Sequence, residues 1–61
     1  MVKPRLYAKD AHGRRVGSAR LTEEDTWDVF DARGRFIDTV PRTQDAERQL
    51  LYLGAARVIR Q

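Results

Sequence analysis

Aromatic and cationic residues recur at alternate positions of the chain, a pattern that is typical of a binding surface. Tyr7 and Lys9 are two positions apart, and Phe30 and Phe36 flank a turn-forming segment. On a β-sheet surface, aromatic rings stack against nucleic-acid bases while neighbouring Lys and Arg side chains contact phosphates. The candidate binding residues belong to one predicted sheet face and to two arginine-rich turns: Tyr7, Lys9, Arg14, Arg15, Phe30, Arg33, Arg35 and Phe36.

Residue types that carry catalysis or hold metals are scarce. The chain contains one histidine, His12, one serine, Ser18, and no cysteine. His12 falls in a predicted turn, where a lone exposed imidazole lacks the partners of a general base or a metal ligand. The four glycines are not spaced as a phosphate-binding loop. We therefore expect no enzymatic activity, no cofactor, no bound metal and no small-molecule substrate.

The predicted elements that position the candidate residues begin with a sequence that occurs twice, 21 positions apart. In both copies an Asp can accept backbone N–H bonds, and a Gly three positions later allows a positive φ. This pattern predicts two β-hairpins, 4–20 and 26–41, each with a type I turn closed by a G1 bulge. The polar segment 21–25 between them is expected to be a turn, or one helical turn capped by Thr22. A shift of 21 positions aligns five identical pairs: Asp10/Asp31, Ala11/Ala32, Gly13/Gly34, Arg14/Arg35 and Thr22/Thr43.

This turn predicts the strand register and the face of each side chain. The expected pairs are Lys9–Arg15, Ala8–Val16, Leu6–Ser18, Phe30–Phe36, Val29–Ile37 and Trp27–Thr39. A register that pairs Val29 with Asp38 is expected to be less favourable, because it sets a carboxylate opposite a core side chain. The predicted core face carries Leu6, Ala8, Val16, Ser18, Trp27, Val29, Ile37 and Thr39. The predicted outer face carries Tyr7, Lys9, Arg15, Gly17, Asp28, Phe30, Phe36 and Asp38.

A helix is predicted after the second hairpin. Pro41 ends the preceding strand, Thr43 is the expected N-cap of a helix over 43–53, and Gly54 ends it. Segment 55–60 contains Val58 and Ile59 and can form a short edge strand. The helix buries a stripe of Ala46, Leu50 and Leu53. The predicted fold class is α+β, in the order ββ-ββ-α-β: two hairpins forming a twisted antiparallel sheet, with one C-terminal helix on its apolar face. Residues 1–61 form one predicted domain.

Composition narrows the class of protein. Twelve Lys and Arg against nine Asp and Glu give a net charge of +3. This charge fits attraction to phosphates or to an acidic protein surface, and it also fits a surface that keeps a small domain soluble. The apolar runs are too short to span a membrane, and residues 1–4 lack the apolar stretch of a signal peptide. We expect a cytoplasmic protein without a membrane partner.

Two functions are compatible with this sequence. The first is a small non-catalytic nucleic-acid-binding module, accessory or regulatory, that uses a basic and aromatic sheet face. The second is a protein-binding inhibitor or adaptor of phage or mobile-element origin, for example an anti-CRISPR-type blocker of a host protein complex. A homodimer is compatible with either. The strand–strand–strand–helix order resembles that of the small DNA-binding domains at the N-termini of tyrosine integrases, in topology alone, so no residue roles carry over.

Overall fold

The computed structural model describes residues 4–61, which contain five β-strands and one α-helix. The sheet is antiparallel with the strand order β4-β3-β2-β1-β5, and α1 packs on one of its faces and contacts every strand. The predicted α+β class, the two hairpins, the C-terminal helix and the short final strand are confirmed. Residues 1–3, which the predicted domain includes, lie outside the described residues. The elements are β1 (Arg5–Lys9), β2 (Arg15–Leu21), β3 (Trp27–Asp31), β4 (Phe36–Val40), α1 (Thr43–Tyr52) and β5 (Arg57–Arg60).

The repeated turns have the predicted geometry. The carbonyls of Asp10 and Asp31 accept the N–H groups of Gly13 and Gly34 at 3.1 and 3.0 Å. Each aspartate carboxylate also accepts the N–H groups of the residues two and four positions on. The φ angles of the two glycines, 81° and 80°, are those that a G1 bulge requires.

The segment between the hairpins has the same turn with different residues. Thr22 takes the place of Asp, and its Oγ1 accepts the N–H groups of Glu24 and Thr26 at 3.2 and 3.3 Å. Asp25 takes the place of Gly with a φ of 62°. Asp is among the few residues other than Gly that enter this left-handed region. One turn design, used three times, therefore joins β1 to β4 as an up-and-down meander.

A second bulge in each hairpin overturns part of the predicted register. The register shifts between Ala8 and Lys9 in the first hairpin, and between Val29 and Phe30 in the second. On the turn side of these bulges, Lys9–Arg15 and Phe30–Phe36 pair as predicted. Beyond them, the predicted pairs Ala8–Val16, Leu6–Ser18, Val29–Ile37 and Trp27–Thr39 are wrong. The observed pairs are Ala8–Gly17, Leu6–Ala19, Val29–Asp38 and Trp27–Val40.

Because a shift of one residue exchanges the two faces of a strand, the bulges also correct the predicted core. Gly17 is buried beneath the helix, whereas Ser18 and Thr39 fall on the opposite face. Val16 is half-buried and packs at the edge of the core, and Ile37 is 40% exposed. The shift is favourable because Ala19 and Val40 replace two hydroxyl side chains in the core. The pairing of Val29 with Asp38 is tolerated because β4 is an edge strand on which Asp38 stays exposed.

The core lies between the sheet and α1. Val16, Leu21, Leu53, Ala55 and Val58 pack around its margin. Burying one Leu side chain contributes about 1.5–3 kcal/mol of stability, so a few such residues supply a large part of the stability of a domain this small. The buried residues are Leu6, Ala8, Ala19, Trp27, Val29, Val40, Ala46 and Leu50.

Thr43 connects the helix to the sheet and is not the N-cap. The N-cap is Arg42, without a side-chain capping bond, and Thr43 is the first helical residue. The Thr43 hydroxyl instead accepts a hydrogen bond from Trp27 Nε1 at 3.1 Å. This bond satisfies the only polar atom of a buried indole.

The C-terminal end of α1 follows the prediction more closely. The helix ends one residue earlier than the predicted 43–53, with Leu53 as its C-cap. Gly54 has a φ of 101°, and its N–H and that of Ala55 bond back to the carbonyls of Leu51 and Leu50 in a Schellman motif. Among residues 4–61, no helix is long and apolar enough to cross a membrane.

Candidate functional site

The face of the sheet opposite α1 is uncovered in the described structure, and we call it the open face. Register and alternation along each strand place side chains from all five strands on it. These residues are Arg5, Tyr7 and Lys9 on β1; Arg15, Ser18 and Arg20 on β2; Asp28 and Phe30 on β3; Phe36 and Thr39 on β4; and Arg57 and Ile59 on β5.

A single row of mainly apolar side chains crosses the open face at right angles to the strands. Consecutive members of this row are cross-strand partners, in the order Ile59, Tyr7, Ser18, Phe30 and Phe36. We call it the aromatic row. With strands about 4.8 Å apart, it extends over roughly 19 Å. The predicted binding aromatics Tyr7, Phe30 and Phe36 thus lie on one line, with Phe30 and Phe36 in an edge-to-face contact at 6.1 Å between ring centroids.

Pairs of like charge border the aromatic row on both sides. Towards the 10–14 turn, Lys9 is in register with both Arg15 and Arg57. On the other side, Arg5 is in register with Arg20, whose other cross-strand partner is Asp28. Like charges directly opposite each other destabilise a sheet. A bound anion would relieve the repulsion within these three pairs of like charge.

Two of these arginines contact the rings of the aromatic row. The guanidinium carbon of Arg15 lies 4.7 Å from the centroid of the Tyr7 ring. That of Arg20 lies 5.7 Å from the centroid of the Phe30 ring. Cation–π contacts of this kind contribute about 0.5–1 kcal/mol at exposed sites, which offsets part of the repulsion within the pairs. They also hold flat cationic groups beside flat aromatic ones.

The open face carries more positive charge than the whole chain. Five cations lie on it, and among its described strand residues Asp28 is the single carboxylate, so its net charge is +4. Asp28 accepts a hydrogen bond from the Thr39 hydroxyl at 2.8 Å. The other residues in 4–61 hold six cations and eight carboxylates, a net charge of −2. The modest overall charge therefore conceals a strongly polarised molecule. The predicted outer face included Asp38, and its move to the helix side makes the open face more basic than expected.

Two shallow grooves lie on the open face, one on each side of Tyr7. The first, of about 180 Å³, is lined by Arg5, Tyr7, Arg15, Ser18, Arg20 and Phe30, together with Ala19. The second, of about 260 Å³, is lined by Tyr7, Lys9, Arg15, Ile59 and Gln61. Both grooves combine an aromatic wall with cationic side chains. They are open and suit a flat group laid on the surface better than an enclosed small molecule.

The arginine-rich turns lie at one end of the open face. Meander topology puts the 10–14 and 31–35 turns, with the predicted binding residues Arg14, Arg33 and Arg35, at the same end as the Lys9–Arg15 pair. The 22–26 turn, with Glu23, Glu24 and Asp25, lies at the opposite end. The structure therefore brings five of the eight predicted residues together on the face and places the other three at its basic end.

One of these three arginines is held by an acidic neighbour. Arg35 Nε lies 3.0 Å from the carboxylate of Asp31. The pKa of Asp31 is held below its ordinary value of 3.8 by the backbone N–H of Arg35, then by that of Arg33 and by the Arg35 side chain, although partial desolvation opposes them. The Arg35 side chain therefore pairs with a carboxylate of its own turn. Arg14 and Arg33 are exposed at the tips of the two turns.

Seven residues of the open face are absent from the sequence-based candidate set, and four of them, Arg5, Arg20, Arg57 and Ile59, add positive charge or apolar surface to it. Arg5 has a local signal, since it precedes Tyr7 and Lys9 by two and four positions in one strand. Arg20 has no local signal, because the bulge at Val16 moves the later residues of β2 to the face opposite the one that simple alternation predicts. Arg57 and Ile59 become neighbours of Lys9 and Tyr7 only when β5 pairs with β1. A pattern confined to each hairpin could not include them.

The described residues contain no group of three or more His, Cys, Asp or Glu side chains that could hold a metal ion. Comparison with known proteins finds no matching family model, no significantly similar curated protein and no significantly similar solved structure.

Proposed function

We propose that this protein binds nucleic acid through its open face, as a non-catalytic accessory or regulatory module. The observation that carries the proposal is the set of like-charge pairs, Arg5–Arg20, Lys9–Arg15 and Lys9–Arg57, that borders the aromatic row. These pairs weaken the isolated sheet and would be stabilised by a ligand with several negative charges.

The aromatic row narrows the class of anion. A polyanion without rings would gain nothing from the flat surfaces of Tyr7 and Phe30, both half-buried between cations. Nucleic acids combine phosphates with flat bases, and base stacking on aromatic side chains contributes about 1–3 kcal/mol per base. The open face offers a partner to both parts of that ligand.

The test compares two exposed arginines on opposite sides of the molecule. Arg57 lies on the open face beside Lys9, and Arg48 lies on the exposed side of α1. Affinity for a dye-labelled oligonucleotide is measured by fluorescence anisotropy over a range of salt concentrations. We expect Arg57→Gln to weaken binding and to lower the slope of log affinity against log salt by about 0.7–0.9, one phosphate contact. Arg48→Gln, which removes the same charge, should leave the slope unchanged.

Two results would contradict the proposal. One is an affinity that does not fall as salt rises, since phosphate contacts release counterions. The other is an equal effect of Arg57→Gln and Arg48→Gln, which would mean that net charge alone attracts the oligonucleotide and that the open face has no special role.

A protein partner is the second candidate, and one surface favours it. Leu51 and Tyr52, adjacent on α1, are 55% and 80% exposed. Exposed apolar side chains of this size often mark protein interfaces. In a pull-down from nuclease-treated host lysate, this function predicts one stoichiometric protein that is retained by the wild type and lost from a Leu51→Ser, Tyr52→Ser double variant. Retention of the same protein by both would exclude this surface as its binding site.

A further inference from the structure

We infer that the ligand of the open face is a single strand of nucleic acid, laid across the β-strands with its bases on the aromatic row. This inference rests on the proposed function and specifies its ligand. In this placement the sugar–phosphate backbone runs along Arg57, Lys9 and Arg15, the cations next to the row.

The width of the sheet argues against a duplex. The open face spans five strands, or about 19 Å, whereas the major groove of B-DNA is about 12 Å wide and admits a helix or a two-stranded ribbon. Tyr7 and Phe30 lie on β1 and β3, so each has at least one further strand between it and either edge. A duplex resting on the face would keep its paired bases out of reach of both rings.

The spacing of the rows suits an unpaired strand. Lys9 follows Tyr7 by two residues on β1, which places the cationic row about 6.6 Å from the aromatic row. A base that extends sideways from its backbone bridges a separation of this size. The backbone is placed on the Lys9 side because the acidic 22–26 turn lies at the other end of the sheet.

The guanidinium groups enlarge the stacking surface. Arg15 lies over the Tyr7 ring and Arg20 over the Phe30 ring. Unpaired bases stack on guanidinium planes as well as on aromatic rings. Tyr7 and Phe30 are separated by Ser18 and by two strand spacings, about 9.6 Å, so the small serine leaves room for a base between them.

The length of the row limits the footprint. Roughly 19 Å corresponds to about six nucleotides at a stacked spacing of about 3.4 Å, and to fewer if the strand is extended. One molecule should therefore occlude no more than about six nucleotides of a long single strand at saturation.

The experiment measures competition for a labelled mixed-sequence single strand by the same strand unlabelled and by that strand annealed to its complement. We expect the single strand to compete at least about tenfold more effectively than the duplex. Equal or better competition by the duplex would overturn this inference and leave the proposed function standing. Binding of neither nucleic acid at low salt would overturn the proposed function itself.

A matched pair of tyrosines tests the stacking. Tyr7→Leu should lower single-strand affinity about fivefold or more without changing the salt slope, because it removes a ring and no charge. Tyr52→Leu, at the exposed tyrosine of α1, should have no effect. Tyr7→Phe keeps the ring and should retain binding, which separates loss of stacking from loss of folding. An unchanged affinity in a folded Tyr7→Leu variant would overturn the placement of bases on this row.

Discussion

The hairpins β1–β2 and β3–β4 share a backbone design and differ in what they display. Each has the Asp–Gly turn and a bulge one pair beyond it. At the equivalent pair next to the turn, one hairpin carries Lys9 and Arg15 and the other carries Phe30 and Phe36. The turn depends on the Asp and Gly residues and leaves this pair free to vary. One design therefore supplies a cationic pair and an aromatic pair to the same face.

The buried side shows a second difference between the hairpins. Gly17 and Asp38 are equivalent in the repeat, and each follows a bulge. Gly17 lies under the helix, where a Cβ would be 2.8 Å from both Leu53 Cδ1 and the Phe30 carbonyl oxygen. Asp38 lies exposed on the edge strand. At this position, therefore, the first hairpin lies directly under the helix, whereas the second lies at the exposed edge of the sheet.

The largest predicted effect tests this difference. Gly17→Ala should destabilise the protein by about 1–3 kcal/mol, because the backbone carbonyl of Phe30 cannot move aside as a flexible side chain can. A chain of this length has a total stability of only roughly 3–9 kcal/mol. Asp38→Ala, at the equivalent position, should change stability by less than about 0.5 kcal/mol. Urea unfolding of both variants gives the comparison. Equal losses in the two variants would show that the close approach of the Phe30 carbonyl and the helix at position 17 does not exclude a Cβ.

A smaller effect is expected from making the third turn match the other two. Asp25, at the turn position equivalent to Gly13 and Gly34, has a φ of 62°. Asp25→Gly should stabilise the protein by up to about 1 kcal/mol, since relief of the left-handed conformation outweighs the greater freedom of Gly in the unfolded chain. The reverse change, Gly34→Asp, should destabilise it. Thermal unfolding measures both changes, and a loss of stability in Asp25→Gly would show that the Asp25 side chain stabilises this turn.

The smallest effect concerns the 31–35 turn in acid. The pKa of Asp31 is lowered in the folded protein, so its contribution to stability is present above the unfolded pKa, about 4, and is lost as pH falls through the lower folded pKa. Asp31→Asn keeps an oxygen acceptor for the backbone N–H groups and removes the titration. We expect the urea midpoint of the wild type to fall more between pH 7 and strongly acidic pH than that of Asp31→Asn. Equal declines would contradict a specific role for this carboxylate.

The local parts of the fold and site were predictable from the sequence. Asp10 with Gly13 and Asp31 with Gly34 act within five-residue turns, so their types and spacing predict both the turn and the first pair beyond it. The C-terminal end of α1 was predictable because Gly54 favours the left-handed conformation of a helix end. The residues next to the turns, Lys9 and Phe30, were therefore placed on the correct face.

The bulges at Val16 and Ile37 and the pairing of β5 with β1 depend on contacts between distant parts of the chain. A bulge forms where the helix-facing core gains more from one register than from another, and no local pattern at Val16 shows that balance. The sequence alone determined the turns, the element order and the presence of aromatic and cationic residues. Tertiary packing decided that Arg20 and Arg57 join Arg5 and the predicted residues on the open face, because it sets the register of β2 and the pairing of β5 with β1.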